Sequence, residues 1–279
     1  MFGKTVLITG PTSGIGLEIA RQLAEAGTRL LLACRDEVKG LVVADELRRG
    51  HSHCRCEVLT VDMARPDSVR ALAGRVRQIA PRLDVLVNNA GLNRRTRQQT
   101  PDGIELTLAT NVLGPYLLSL ELLDLLRASA PARIVNVAST FAGGLDLDDL
   151  QFTRRPYDGR AAYSQSKACN RLLSWALARR LEGSGATVNA MAPGLVQTGL
   201  FRDTPLPARL MIRLAGLCFG RSVRQGADTA VWLAASPAVE GRSGGFYRRR
   251  LEIPCEFRDP EREERLWAEC ARLGLGGAA

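Results

Sequence analysis

Histidine is scarce in this sequence, and its scarcity bears on two kinds of site. The only histidines among 279 residues are His51 and His53. A serine hydrolase needs a histidine base beside its nucleophile, and these two fall between a helix-like and a strand-like segment, on the wrong side of the sheet for that chemistry. Cys54 and Cys56 follow closely, giving four possible zinc ligands. We expect ligands at alternate positions near a strand start to diverge to opposite faces, and we predict no metal site.

Features of secreted and membrane proteins are also missing. The seven cysteines are irregularly spaced and include no C-x-x-C pair, which is typical of reduced thiols and not of a disulfide framework. No run of about 18 apolar residues occurs, so we predict no membrane-spanning helix. Lys4 already opens the first apolar segment, without a signal peptide before it. Together these absences predict a cytoplasmic protein.

Lysine is nearly absent, although the chain is strongly basic. Three lysines stand against 35 arginines, and the net charge is +9. A basic balance can indicate a nucleic-acid partner. The arginines are scattered, however, and no long basic run or stripe with interleaved aromatic residues occurs. We therefore predict no nucleic-acid partner and interpret the arginine content as a compositional bias.

Strand-like and helix-like segments alternate along the chain. Strands are predicted at 5–9, 29–34, 57–61, 83–88, 133–138 and 187–192, and helices at 14–27, 37–50, 102–129 and 161–181. Nearly continuous apolar strands between helices indicate a parallel sheet covered on both faces, and right-handed crossovers make it doubly wound. We predict an α/β fold, a single Rossmann-type domain over residues 1–279 with a mostly or fully parallel central sheet.

Two irregular stretches, 145–160 and 199–221, follow strands at the carboxyl edge of this sheet, where ligands bind in open α/β folds. The second carries apolar residues suited to covering a hydrophobic substrate: Phe201, Leu206, Leu210, Met211, Leu214 and Leu217. We predict that residues 199–221 form a substrate lid. Ordinary core packing and a membrane-surface helix are the alternatives.

A glycine-rich turn joins the first strand to the first helix. Its sequence is T-G-P-T-S-G-I-G at 9–16, which allows a tight turn and a close approach of the backbone to a pyrophosphate. The helix N-terminus then directs free N–H groups and the positive end of its dipole at the phosphates. The candidate ligands are Gly10, Thr12, Ser13, Gly14, Ile15 and Gly16. A plain tight turn is the alternative.

The ends of the next two strands bear on the choice of dinucleotide. A site for NAD usually places a carboxylate after the second strand, whereas a basic residue suits the 2′-phosphate of NADP. Arg35 stands there and is able to make a charge-assisted contact with that phosphate, so we predict NADP(H). Asp36 follows, as an NAD ligand or an N-cap of the next helix. Asp62, beside Met63, either accepts from the adenine amino group or caps the helix that begins near Pro66.

Five further residues suggest chemistry at the same edge. Asn89, Ala90 and Gly91 end the fourth strand and suit a backbone approach to a ligand, with an ordinary strand-end turn as the alternative.

Tyr163 and Lys167 are four apart on a predicted helix and so share one face. We expect the ammonium to lower the phenol pKa from its usual value near 10, which would create a general acid–base.

Two polar residues lie near this pair in the predicted fold. Ser139 ends a strand, where its hydroxyl is placed to hydrogen-bond a substrate oxygen. Asn111 stands among leucines and valines in a predicted helix, where we expect it to hold a water molecule.

Taken in order, these motifs closely resemble the short-chain dehydrogenase/reductase family, in its compact branch. They are T-G-x-x-x-G-I-G at 9–16, N-N-A-G at 88–91, Asn111, V-N-V-A-S ending at Ser139, Y-S-Q-S-K at 163–167 and P-G-L-V-Q-T at 193–198. The resemblance implies hydride transfer between NADP(H) and an alcohol, aldehyde or ketone. It implies that Tyr163 donates the proton, that Ser139 orients the carbonyl and that Asn111 supports a water relay.

The resemblance also assigns cofactor contacts. Asp62 and Met63 would border the adenine, residues 89–91 the ribose, and Lys167, with Tyr163, the nicotinamide ribose. The nicotinamide amide would lie along Pro193, Gly194, Val196 and Thr198. Helices 102–129 and 161–181 would form the interface of a homodimer or homotetramer.

Finer features are similar to the retinol-dehydrogenase-type group of the family. They include A-C-R-D at 33–36 and T-N-V-L-G-P-Y-L-L at 110–118. Ala192 departs from the histidine usual in that group, so the substrate is left open between a retinoid-like alcohol and a small metabolite or polyketide-like ketone. A non-catalytic NADP-binding regulatory or scaffold protein on the same fold is the alternative from another functional class.

Overall fold

A computed structural model of the chain describes residues 1–194, 196, 222–255 and 257–274. The predicted lid at 199–221 and the predicted cofactor ligand Thr198 lie outside these residues. Within them, no helix is both long and apolar enough to cross a membrane.

Eight strands of the described chain form one sheet in the order β3-β2-β1-β4-β5-β6-β7-β8. The strands are β1 Thr5–Thr9, β2 Arg29–Cys34, β3 Arg55–Thr60, β4 Val85–Asn88, β5 Ala132–Val137, β6 Ala186–Met191, β7 Phe246–Arg248 and β8 Leu251–Glu252. All neighbouring pairs are parallel except β7 and β8. The predicted mostly parallel sheet is therefore confirmed. The strand order reverses between β1 and β4, so a ligand crevice is expected at their carboxyl ends.

Helices cover both faces of this sheet. They are α1 Gly14–Glu25, α2 Glu37–Gly50, α3 Pro66–Ile79, α4 Leu106–Leu108, α5 Gly114–Glu121, α6 Leu123–Ala128, α7 Gly159–Arg180, α8 Val223–Ala235 and α9 Pro260–Gly274. Strand β1 shows why both faces are apolar. Val6 and Ile8 join the cluster under α1, α2 and α8, whereas Leu7 joins the cluster under α3 and α5. All three are fully buried, and each burial contributes roughly 1.5–3 kcal/mol.

The helix predicted at 102–129 was wrong as a single element. It starts later because the Glu105 carboxylate caps α4 by accepting the N–H groups of Thr107 and Leu108. It is also interrupted by a π-helical segment, Ala109–Leu113, in which the Gly114 N–H donates to the Ala109 carbonyl five residues back. The wider turn surrounds Asn111, and such segments occur frequently at functional sites.

Helix α9 packs across α7 and the start of α5. Its Leu266 and Cys270 side chains are fully buried, and the Trp267 ring meets the Tyr116 ring edge-on at 4.9 Å between centroids. Arg179 on α7 pairs with the buried Glu263 carboxylate of α9. The carboxyl-terminal helix therefore covers the outer face of α7.

Candidate active site

The turn between β1 and α1 forms an open cradle of backbone. Gly10 and Gly14 adopt φ of +67° and +55°, in the left-handed region that favours glycine. A Cβ atom on Gly16 would lie under 3.0 Å from the Gly10 carbonyl oxygen and the Asn89 amide nitrogen. Ser13 is the N-cap of α1 but makes no side-chain cap bond, and no acidic residue stands in the first turn. The helix N-terminus is thus suited to a pyrophosphate, and a larger side chain at Gly16 would displace the turn that forms the cradle.

Asn89 and Thr9 give this turn its shape. The Asn89 side-chain amide donates to the carbonyls of Thr9 and Gly10, at 2.9 and 3.1 Å. The Thr9 hydroxyl accepts the backbone N–H groups of Asn89 and Ala90, each at 3.0 Å. The side-chain amide of Asn89, a predicted cofactor ligand, therefore donates to the protein's own backbone. Thr9 supports the turn, and the sequence analysis did not identify it.

Two adjacent charged residues at the end of β2, Arg35 and Asp36, have different surroundings. Asp36 is the N-cap of α2; its carboxylate accepts the Lys39 N–H at 3.0 Å and pairs with the Lys39 ammonium at 2.5 Å. Those hydrogen bonds hold the pKa of Asp36 below its usual value. The Arg35 side chain is exposed and forms no hydrogen bond or ion pair with the described part of the chain. Arg35 is therefore available to a ligand, whereas the Asp36 carboxylate is engaged in capping α2 and in the ion pair with Lys39.

Asp62 does not cap α3, so that alternative is wrong. The helix begins at Pro66, and its N-cap is Arg65. Asp62 lies three residues before the N-cap; its carboxylate accepts the Ala64 N–H at 3.0 Å, and its backbone N–H donates to the Ser68 hydroxyl on α3. Met63 next to it is buried.

Asn111 joins three elements around the site. Its side chain accepts the Leu92 N–H at 2.8 Å and donates to the Leu92 carbonyl and to the Ser166 hydroxyl, at 2.9 and 3.1 Å. A Cβ atom on Gly91 would lie 3.3 Å from the Asn111 amide oxygen and 3.7 Å from the Lys167 ammonium. Protein groups occupy both of its amide N–H groups and one of the two acceptor positions of its oxygen, and the water held by Asn111 stays a prediction.

Ser139, Tyr163 and Lys167 meet at the end of β5. The Ser139 side chain is hydrogen-bonded to the Tyr163 phenol. The Ser139 hydroxyl also accepts the Phe141 N–H at 2.9 Å. The Lys167 ammonium donates to the Val137 carbonyl at 2.9 Å and lies 5.6 Å from the centre of the Tyr163 ring. The structure therefore brings the four predicted catalytic residues together.

The two ionisable groups are shifted mainly by burial. Burial raises the pKa of Tyr163 to about 12, although the Ser139 hydrogen bond opposes that rise. Burial also lowers the pKa of Lys167 to about 8, since desolvation disfavours whichever form is charged. The expected lowering of the phenol pKa by the ammonium was wrong, because desolvation by burial dominates and raises it.

The segment after β6 supplies the remaining cofactor candidates. Gly194 has φ of +81°, which turns the chain after Pro193. Val196 is buried. A Cβ atom on Gly226 would lie 2.6 Å from the Val196 side chain and 2.7 Å from that of Ile15. This segment thus packs close to the start of α1, beside the glycine turn.

The structure adds two side chains that the sequence did not indicate. Phe141 is half exposed, and its ring stacks on that of Tyr163 with centroids 6.5 Å apart. Arg171 is buried and donates to the Ser139 carbonyl. Phe141 gave no signal in the sequence, but Arg171 continues the four-residue spacing of Tyr163 and Lys167.

The cysteines before and within β3 require a correction. Cys54 and Cys56 do not diverge: both are buried, and their sulfurs lie 3.2 Å apart, since side chains two apart in a strand share a face. No group of three or more possible metal ligands occurs within the described residues.

Comparison with known proteins agrees with this architecture. A doubly wound sheet with a glycine-rich turn at its switch point is typical of dinucleotide-binding proteins. Residues 4–207 match the family model described as short chain dehydrogenase, and the chain belongs to that family of oxidoreductases.

Relatives extend over nearly the whole chain. Retinol dehydrogenase 13 of Mus musculus is 38% identical over 283 residues, which cover 97% of this chain and 84% of the relative. Polyprenol dehydrogenase of Mus musculus is 38% identical over 286 residues, covering 99% and 85%.

Two solved structures show the same fold. The Pseudomonas aeruginosa RhlG/NADP active-site complex aligns with a TM-score of 0.71 and 30% identity, covering 88% of this chain and 94% of that chain. The 3-ketoacyl-(acyl-carrier-protein) reductase from Brucella melitensis complexed with NADH aligns with a TM-score of 0.68 and 25% identity, covering 88% and 96%.

Proposed function

We propose that the protein is an NADP(H)-dependent oxidoreductase that acts on an alcohol, aldehyde or ketone. The observation that carries the proposal is the meeting of Asn111, Ser139, Tyr163 and Lys167 beside the glycine cradle of α1. Ligands bind at this carboxyl edge in doubly wound sheets. An acid–base group and a dinucleotide cradle are the two parts that hydride transfer requires.

The preference for NADP rests on Arg35. Its exposed guanidinium is available for a 2′-phosphate, whereas Asp36 is engaged in capping α2. The Lys39 ammonium pairs with the Asp36 carboxylate and so offsets its negative charge. One solved relative is an NADP complex and another is an NADH complex, so the choice depends on this chain's own residues.

The bound nicotinamide would supply or accept the hydride. The protein residues would orient the carbonyl and move the proton. Ser139 is placed to hydrogen-bond the carbonyl oxygen, and Tyr163 to donate its proton to that oxygen. With its pKa raised to about 12, the phenol stays protonated at neutral pH, which suits a proton donor in carbonyl reduction. Lys167 would stabilise the tyrosinate that donation leaves, and Asn111 fixes the loop beside Gly91.

We propose an apolar substrate. The half-exposed Phe141 ring lies against Tyr163 and would form an aromatic wall beside the reacting carbon. Two relatives are named for retinol and polyprenol, both apolar alcohols, which supports this class.

The first test is a binding titration of the purified protein with NADPH and with NADH. We expect tighter binding of NADPH, followed by turnover of apolar aldehydes or ketones. The Tyr163→Phe variant should bind NADPH normally and lose turnover. Near-normal turnover by that variant would overturn the assignment, and binding of neither nucleotide would overturn the proposed function altogether.

A further inference from the structure

Helix α7 directs a row of three side chains at the end of β5. Tyr163, Lys167 and Arg171 are spaced by four residues and so share one face of the helix. Lys167 donates to the carbonyl of Val137, and Arg171 donates to the carbonyl of Ser139. Lys167 and Arg171, one helical turn apart, thus bind the carbonyls of Val137 and Ser139, which are two residues apart.

Arg171 occupies an unusual environment for a charged side chain. It is 6% exposed, with its guanidinium 3.6 Å from the centre of the Phe246 ring and 5.2 Å from that of Phe257. Its Nη1 lies 3.7 Å from the Cys255 sulfur. Its Nε is buried and has no hydrogen-bond partner among the described residues. Burying an ion costs several kcal/mol even after relaxation, so this placement needs a compensating role.

The carbonyl that Arg171 holds belongs to a residue that regular structure no longer fixes. Strand β5 ends at Val137, and the last ladder-like contact is the Ala138 N–H to the Met191 carbonyl at 2.8 Å. Ser139 then enters a long connection in which Gly143 and Gly144 have positive φ. Among the described residues, the Arg171 bond is the contact that holds the Ser139 carbonyl beyond the sheet.

We propose that Arg171 is a positioning residue for Ser139. By holding the Ser139 carbonyl with a guanidinium that packs against the Phe246 and Phe257 rings, it directs the Ser139 hydroxyl at Tyr163 and at the substrate oxygen. The inference rests on the proposed function for its catalytic consequence. It also links the catalytic serine to the carboxyl-terminal segment that carries Phe257.

Three variants separate positioning from simple stability. Arg171→Met removes the donors but keeps an apolar chain beside the aromatic rings. Arg171→Lys keeps the charge and one donor but loses the planar fork. Arg160→Met, at an exposed position on the same helix, is the matched control.

Kinetics should distinguish the three. We expect Arg171→Met to lower kcat roughly 100-fold, the loss typical of about 1 Å of misplacement, while the Kd for NADPH changes less than about twofold. Arg171→Lys should recover about tenfold of that loss, because one of the lost bonds is restored. Arg160→Met should match the wild type. A wild-type kcat in Arg171→Met would overturn the inference.

Hydrogen exchange measured by mass spectrometry provides a readout that needs no activity. In Arg171→Met we expect faster exchange of peptides covering 138–143, including the Phe141 amide that donates to Ser139, and unchanged exchange of peptides covering α1. Unchanged exchange at 138–143 would overturn the inference whatever the kinetics. If the wild type reduces no carbonyl substrate, the proposed function fails, and the exchange of 138–143 still decides whether Arg171 holds Ser139.

Discussion

Tyr163 shows how one buried side chain favours a direction of reaction. Proton donation needs the neutral phenol, and proton removal from an alcohol needs tyrosinate. With a pKa raised to about 12 by burial, the neutral form dominates throughout the ordinary pH range. In the proposed reaction, the free protein would therefore hold the proton donor that carbonyl reduction needs, whereas alcohol oxidation would draw on a small tyrosinate population.

The two directions should therefore differ in their pH profiles. Below the phenol pKa the tyrosinate fraction grows about tenfold per pH unit, so alcohol oxidation should rise from pH 7 to about pH 8, where Lys167 begins to lose the proton with which it stabilises tyrosinate. Carbonyl reduction should stay level and fall above about pH 8, where Lys167 loses its proton. Steady-state kcat in both directions tests this, and an oxidation rate already level at pH 7 would contradict it.

Arg35 should govern the choice between the two nucleotides. Because its guanidinium is exposed and uncommitted in the described structure, Arg35→Ala should weaken NADPH binding roughly 10- to 100-fold, the value of one charge-assisted contact, and leave NADH binding unchanged. Arg49→Ala, an exposed arginine on α2, is the control. Equal losses for both nucleotides, measured by fluorescence titration, would show that Arg35 does not contact a 2′-phosphate.

For single residues, the sequence predicted which side chains lie at the site but did not predict which groups they contact. The spacing of Tyr163 and Lys167 placed both on one face of α7. The pKa of each depends on burial by distant segments, which local spacing does not report. Asp36 illustrates the same limit, since its capping role was one of two alternatives until the Lys39 N–H was seen to donate to it.

At the scale of elements, the β1–α1 turn depends on the absence of a side chain at one glycine. A Cβ atom on Gly16 would collide with the Gly10 carbonyl, whereas one on Gly74 in α3 would meet nothing within 4 Å. Both are helical glycines, so they make a matched pair.

We expect opposite results from substituting alanine at these two positions. Gly16→Ala should lower the melting temperature and abolish tight NADPH binding, because the turn has to move. Gly74→Ala should raise the stability by about 0.5–1 kcal/mol, the usual gain of alanine over glycine in a helix. Thermal denaturation with and without NADPH provides the measurement. Normal nucleotide binding by Gly16→Ala would show that the turn is not the cradle.

Strands were the most predictable elements, and the long helix before β5 was the least. Continuous apolar runs mark strands buried on both faces, and each predicted strand lies within two residues of its observed bounds. Residues 102–129 are rich in apolar side chains as well, and this pattern does not show where the helix changes its winding. The π-helical turn around Asn111 follows from contacts with Leu92 and Ser166, far away in sequence.

For the whole molecule, α9 bears on oligomerisation. The family resemblance implied an interface formed by the helices at 102–129 and 161–181. In the structure, α9 covers part of that surface through Leu266, Trp267 and the pair of Arg179 with Glu263. Association through the part of this face that α9 covers would require α9 to leave.

We therefore expect a monomer in solution. Light scattering on the full chain should give one 30.3 kDa unit, and a variant ending at Asp259 should self-associate or lose stability, because it uncovers the apolar surface under Leu266. A stable dimer of the full chain whose α9 stays protected from hydrogen exchange would place the interface elsewhere.

The length of α7 has an evolutionary consequence. The helix carries the row of Tyr163, Lys167 and Arg171 and, nearer its end, the α9 contact of Arg179. Each residue advances the helix by about 100°. A one-residue insertion between Lys167 and Arg171 would rotate Arg171 and Arg179 away from Ser139 and Glu263 together. Homologous chains should therefore gain and lose residues in their loops, while the number of residues in this helix stays constant.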